Sequence, residues 1–169
     1  VWIKNSLRPK VEGTRVAAET PRAAHTVKAI AWKRGISTVN LRAPRMLGAH
    51  GFLKTMFDIF ERHGVEVDVV TTSEVSVSVS LENGAPPAAL LADLGGLGEL
   101  TVSRERTIFC VVGEGLRDTP GIPARILQAL GNLPVEMISL GASKINLTFV
   151  VQDAHADEAA QQLHSEFFP

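Results

Sequence analysis

Apolar residues recur along this chain in two rhythms. Phe52, Leu53, Met56, Phe57 and Phe60 follow at three- and four-residue steps and form one stripe of a helix. Gly64, directly after His63, is a helix stop. Val65, Val67 and Val69 then alternate with Glu66 and Asp68, the period of a strand with one buried face. Thr71 to Glu74 form a polar turn, and Val75, Val77, Val79 and Leu81 alternate with Ser76, Ser78 and Ser80 in a second strand.

The same pattern returns later. The segment from Gly51 to Leu81 aligns without a gap on the segment from Gly121 to Val151. Gly51 meets Gly121, Phe57 meets Leu127, Phe60 meets Leu130, and Val65-Glu66 meets Val135-Glu136. Ser73 meets Ser143, and Val75 and Val77 meet Ile145 and Leu147. The chain is thus two copies of one supersecondary unit. Strand candidates precede each helix, Ser37–Leu41 and Thr107–Val112. Helix candidates follow each strand pair, one marked by Leu90, Leu91 and Leu94, the other by Ala159, Ala160, Leu163 and Phe167, with Asp153 as its expected cap.

Each unit therefore reads β-α-β-β-α and needs one more strand to become a ferredoxin-like βαββαβ. The first can use Glu99–Ser103; the second runs out of chain at Pro169. Val1–Lys4 is the expected donor, which would interlace the modules. The fold class expected is α+β: two ferredoxin-like βαββαβ modules, the N-terminal strand completing the second. The expected boundaries are 26–104 for the first module, 105–169 plus 1–5 for the second, and 6–25 for a connecting segment.

Composition narrows the chemistry. Of 169 residues 45% are hydrophobic, enough for a packed core, and the net charge of −1 favours neither nucleic acid nor membrane. Charge is uneven, however: residues 1–50 hold ten Lys/Arg against Glu12 and Glu19. The single cysteine, Cys110, among Ile108, Phe109 and Val111, reads as a small buried hydrophobe and fits a reducing compartment. No apolar run is long enough to span a bilayer, and a chain beginning on Val1 inside a strand reads as a fragment of something longer. His25, His50, His63, His155 and His164 lack metal-ligand spacing, and no nucleophile elbow or phosphate loop occurs. Gly95-Gly96-Leu97-Gly98 reads as a flexible link between helix and strand.

What remains is the difference between the copies. Asp68 falls opposite Ile138, and Glu74 opposite Lys144. A turn from Asp68 to Glu74, close to the helix start at Gly51, would set carboxylates beside free backbone amides. That suits a zwitterion carrying an additional cation. The alternative is that Glu66 and Asp68 merely face water and Glu74 is a turn residue.

These residues carry a resemblance. Met46-Leu47, the Gly51-Phe52-Leu53 helix start, Val67-Asp68 and the run from Thr71 to Ser80 (TTSEVSVSVS) resemble the first ACT module of lysine-sensitive aspartate kinases. VWIKNSLRPKVEGT at the start is similar to that family's junction after its kinase domain, and GASKINLTFVV to the strand pair of its second ACT module. The resemblance implies tandem ACT modules that regulate and do not catalyse, binding L-lysine for feedback inhibition. It places the lysine site at Met46, Phe52, Leu53, Val67, Asp68, Thr72, Ser73 and Glu74. The ligand carboxylate is expected at the Phe52 and Leu53 amides, and its ammonium groups at Asp68 and Glu74. The family often carries polar residues where Gly48-Ala49 stands and a small polar residue where Glu66 stands.

The implied partners are L-lysine, a second copy joined through the first modules, and a kinase domain of the same polypeptide. That kinase would use ATP and magnesium to phosphorylate L-aspartate. No cofactor is expected in this chain, and neither nucleic acid nor membrane as partner. A cytoplasmic setting follows, and some relatives are fused to a diaminopimelate decarboxylase. The competing reading is a ferredoxin-like nucleic-acid module using the basic N-terminal third. Against it, the chain has no Tyr, and Phe52, Phe57 and Phe60 sit on a helix.

Overall fold

A computed structural model describes residues 1–16, 26–82, 84–141 and 143–168. Part of the expected connecting segment, residues 17–25, lies outside the described residues, as do positions 83, 142 and 169. The elements in chain order are β1 (Trp2–Ile3), β2 (Thr14–Arg15), β3 (Val27–Arg42), α1 (Phe52–Arg62), β4 (Val70–Thr72), β5 (Ser76–Leu81), α2 (Ala88–Gly95), β6 (Glu99–Gly113), α3 (Ile122–Ala129), β7 (Met137–Leu140), β8 (Asn146–Gln152) and α4 (Ala156–Phe167). A six-stranded antiparallel sheet runs β4-β5-β3-β6-β8-β7. The fold is α+β with two βαββαβ units, as the repeat required.

The units interlock through two long strands. Ser37 to Arg42 of β3 pair with β5 and, from Thr38 on, with Ser103 to Glu99 of β6, completing the first module. Val27 to Lys33 of β3 pair with Gly113 to Ile108, and Arg106 to Val112 pair with β8. The strand that closes the second module is therefore Val27–Lys33. The expectation for Val1–Lys4 is corrected: among the described residues, Trp2 and Ile3 pair only with Arg15 and Thr14, in a separate exposed hairpin. The reason is steric economy, since the chain already entering the first module lies beside β6 and needs only to start one strand-length earlier. Both modules consequently share β3 and β6, and their boundary runs through the middle of each.

That boundary is bent. The β3–β6 register shifts between Lys33 and Ile36 and again between Ile36 and Thr38. Gly35 and Glu105 there take φ of +72° and +55°, Glu105 being the one non-glycine with positive φ among the described residues. Each extra residue increases the local bend and twist. The far edges respond, and β4 and β7 come within 8 Å of each other, Cα to Cα. At either end of β6 the strands touch backbone to backbone. A Cβ on Gly98 would lie 2.4 Å from the Arg42 carbonyl oxygen, and one on Gly113 2.0 Å from that of Thr26. Gly98 thus serves close approach rather than the flexible link expected of its cluster.

Helices cover one face of the sheet. Met56, Ile59 and Phe60 of α1 and Leu90 and Leu94 of α2 pack on Val39, Leu41, Val77, Val79 and Leu81. Each such side chain contributes roughly 1.5–3 kcal/mol by leaving water. Ile126, Leu130, Leu163 and Phe167 do the same over Phe109, Val111, Leu147, Phe149 and Val151. Phe109 stacks on Phe149 at 5.2 Å and on Trp32 at 5.8 Å between centroids. A third, smaller cluster lies on the opposite face at the junction: Ile36, Met137 and Val150, with Val69 and Ile108 against them.

Two local expectations are corrected. Asp153 does not cap α4, which has no side-chain cap; its Oδ1 accepts from the Thr107 hydroxyl and the Gly35 amide at the bend. Cys110 is half-buried on the helix-free face, because its position in β6 alternates with the inward Phe109 and Val111.

Candidate functional site

Both repeat helices begin alike, each after a glycine in the left-handed region: Gly51 at φ 81° before α1, Gly121 at φ 83° before α3. Only a residue without Cβ adopts that turn readily. Neither helix has a side-chain cap or an acid in its first turn. The first-turn amides of α1, Phe52 and Leu53 among them, therefore have no intrahelical acceptor and present the positive end of the helix dipole. Lys54 in that turn is held by Asp58 one turn on, and this hydrogen bond keeps its pKa above the ordinary value.

Of the expected lysine-site residues, the structure brings Met46, Phe52 and Val67 into one apolar cluster beneath α1. Leu53 beside them is exposed at the helix start. Thr72, Ser73 and Glu74 form the exposed end of the β4–β5 hairpin. Ser73 organises that turn: its Oγ accepts from the Ser76 amide at 3.1 Å, and its own amide donates to the Ser76 carbonyl at 2.8 Å.

Asp68 lies at a crossing point. Val65 and Val67 turn to the helix-covered cluster, whereas Val69 turns to the junction cluster on the other face. The expected strand through Val65–Val69 therefore starts only at Val70, and the single buried face is corrected. Ser80, itself buried, holds this irregular stretch. Its carbonyl accepts from the Asp68 amide at 3.1 Å, its Oγ accepts from the Val69 amide at 2.9 Å, and its amide donates to the Val69 carbonyl at 2.9 Å.

Asp68 also lines an open cavity of about 670 Å³ between the modules, together with Val69, Val70, Ile108, Asn146 and Thr148. Lys33 and Glu82 form an ion pair of 2.7 Å in its wall. None of the other seven expected residues lines this space. Among the described residues, the carboxylates of Asp68 and Glu74 make no ion pair, whereas ten pairs elsewhere engage Glu82, Glu99, Glu114, Glu136 and Glu166 among others. In the second module the corresponding places are taken by Ile138 and Lys144, both exposed.

Part of the basic N-terminal third is engaged in internal pairs. Lys28 reaches Glu114 at 2.9 Å, Lys33 reaches Glu82, and Arg34 reaches Asp157. The sequence reading missed Ser80 and the Lys33–Glu82 pair. The repeat offered a signal for the first, since Ser80 stands opposite Val150 and a buried hydroxyl in an apolar strand needs a partner.

This interlocked pair of βαββαβ units is a tandem ACT arrangement, and a model of the ACT domain matches residues 109–167. Over 99% of its length the chain is 32% identical to the chloroplastic aspartokinase 3 of Arabidopsis thaliana, and 31% identical to the lysine-sensitive aspartokinase 3 of Escherichia coli. It spans 32% and 39% of those proteins, respectively. Its fold superposes on E. coli aspartokinase III in complex with lysine and aspartate with a TM-score of 0.85 at 31% identity, covering 99% of this chain and 39% of that one. A domain assigned as the C-terminal regulatory domain of aspartate kinase from Porphyromonas gingivalis W83 superposes with a TM-score of 0.75 at 34% identity, covering 85% of this chain and 99% of that one. The chain belongs to the ACT-domain regulatory regions of the aspartate kinase family.

Proposed function

We propose that this chain is the feedback sensor of a lysine-sensitive aspartate kinase and binds L-lysine in its first module. The observation that carries this reading is the charge layout of that module. It presents an uncapped helix start, which suits a carboxylate, and two carboxylates, Asp68 and Glu74, that have no cationic partner among the described residues. The second module repeats the helix start but puts Ile138 and Lys144 where the acids stand. A ligand with one carboxylate and two ammonium groups matches the first layout and not the second. The similarity to a lysine-sensitive aspartokinase, and to a relative crystallised with lysine, supports the same ligand.

In this reading Met46, Phe52, Leu53 and Val67 hold the aliphatic body, and Thr72 and Ser73 contribute hydrogen bonds from the hairpin. The kinase domain, using ATP and magnesium on L-aspartate, belongs to the same polypeptide. A homodimer forms through the first modules, whose helix-free face carries Thr38, Asn40, Ser76 and Ser78, with Asn40 donating to Ser78 at 2.7 Å. Lysine then acts by favouring one packing of the two copies over another.

Titration calorimetry with a panel of amino acids, and a short RNA as the competing ligand, tests the reading. Saturable binding of L-lysine at one site per chain is expected. Absence of lysine binding, or tighter binding of the RNA, overturns it. Light scattering over a concentration series tests the dimer, which a monomer at every concentration, with and without lysine, would refute.

A further inference from the structure

We propose that the second module serves the first module's ligand site: its Met137 and Val150 hold Asp68 in place by packing on the neighbouring Val69. This rests on the lysine reading above. Val69 is a positioning residue, acting through the backbone it shares with Asp68.

The geometry points this way from three sides. First, Asp68 and Val69 precede β4 and lack its regular ladder; three hydrogen bonds to Ser80 fix them instead. Second, the Val69 side chain leaves the first module's core and packs on Met137, Val150 and Ile36 at the junction. Met137 and Val150 are buried and paired across β7 and β8 of the second module, whose edge strand β7 approaches β4. Third, the repeat is broken here. Position 67 in the first copy turns inward under α1, while its counterpart Met137 turns out of its own module toward Val69. Without that contact, the dipeptide bearing the carboxylate would hang on a single strand. A second module with Ile138 and Lys144 in place of the two carboxylates thereby acquires a role. Movement between the modules would displace Asp68, and a ligand held by Asp68 would resist that movement.

The test measures backbone hydrogen exchange and ligand affinity in the same variants. Met137→Ala is expected to speed exchange of the Asp68 and Val69 amides at least tenfold while leaving those of Val77 and Val79 in β5 unchanged. Val69→Ala, at a half-buried position, is the milder variant should Met137→Ala fold poorly, and is expected to do the same and to weaken lysine binding about tenfold. Met137→Leu, which conserves volume, should restore both readouts. Leu163→Ala, a core truncation in the second module away from the junction, should lower the melting temperature without altering affinity. Unchanged exchange at Asp68 and Val69, or an equal increase across all first-module amides, overturns the proposal. If the intact chain bound no lysine, the ligand reading would fall on the calorimetry, while the exchange pattern would still decide whether the second module holds Asp68.

Discussion

Replacing Asp68 by alanine separates a ligand-binding carboxylate from a structural one. The side chain is exposed and has no ion-pair partner among the described residues, so its loss should leave the unliganded fold within about 0.5 kcal/mol of the parent. A bound ammonium changes the sum. Two unit charges about 4 Å apart attract by about 1 kcal/mol in bulk water and about 4 kcal/mol at an effective dielectric near 20. Asp68 lies between those limits, with Val69, Val70 and Ile108 walling the cavity on one side and solvent on the other. After part of that attraction is returned as desolvation, about 1–3 kcal/mol remains, or about 5- to 150-fold in Kd. Calorimetry reads this directly. In thermal melts, lysine at about a hundred times its Kd should stabilise the parent by about 2.7 kcal/mol, and a variant bound thirtyfold more weakly by only about 1 kcal/mol. An Asp68→Ala protein that bound lysine as the parent does would refute the assignment. So would one whose unliganded stability fell as far as its affinity.

Other outcomes follow from the same structure. Calorimetric stoichiometry should be one lysine per chain, because Ile138 offers no acceptor and Lys144 repels an ammonium; two per chain would contradict this. Deleting residues 1–16 removes an exposed hairpin outside the main sheet and should leave the melting temperature of the remainder unchanged, where loss of a sheet strand would lower it. Glu105→Gly relieves a left-handed backbone at a non-glycine residue and should raise stability by about 1 kcal/mol, or about 3 °C in Tm, measured by calorimetric scanning. The His63 ring, hydrogen-bonded at 2.8 Å, holds the Asp93 carboxyl below its ordinary value of 3.8, so this contribution to stability is present above that pH and is lost as pH falls through the lower folded value. His63→Ala should therefore melt below the parent at neutral pH and converge with it in acid.

How much of this was legible from residue order depends on the range of the interactions involved. The helix stripe of Met56 and Phe60, the Val77–Val79–Leu81 alternation and the repeat are local or periodic, and periodicity is set by backbone geometry alone. The glycines before α1 and α3 are legible for the same reason, since a left-handed turn excludes most side chains. The need for one more strand was also visible, because a count of elements shows an open edge. Which segment fills that edge was not. Val27–Lys33 carries small and basic residues with a weak alternation, while Val1–Lys4 reads as the better strand; the choice turns on which stretch lies beside β6 once the first module has formed. Val69's turn to the junction, the three bonds from Ser80 and the partners of Asp153 likewise join residues far apart in the chain. Sequence by itself determined the module, its repetition and the carboxylates that distinguish one copy from the other. Tertiary packing alone decided how the copies interlock and what stands behind Asp68, because those contacts exist only after two long strands have paired and bent.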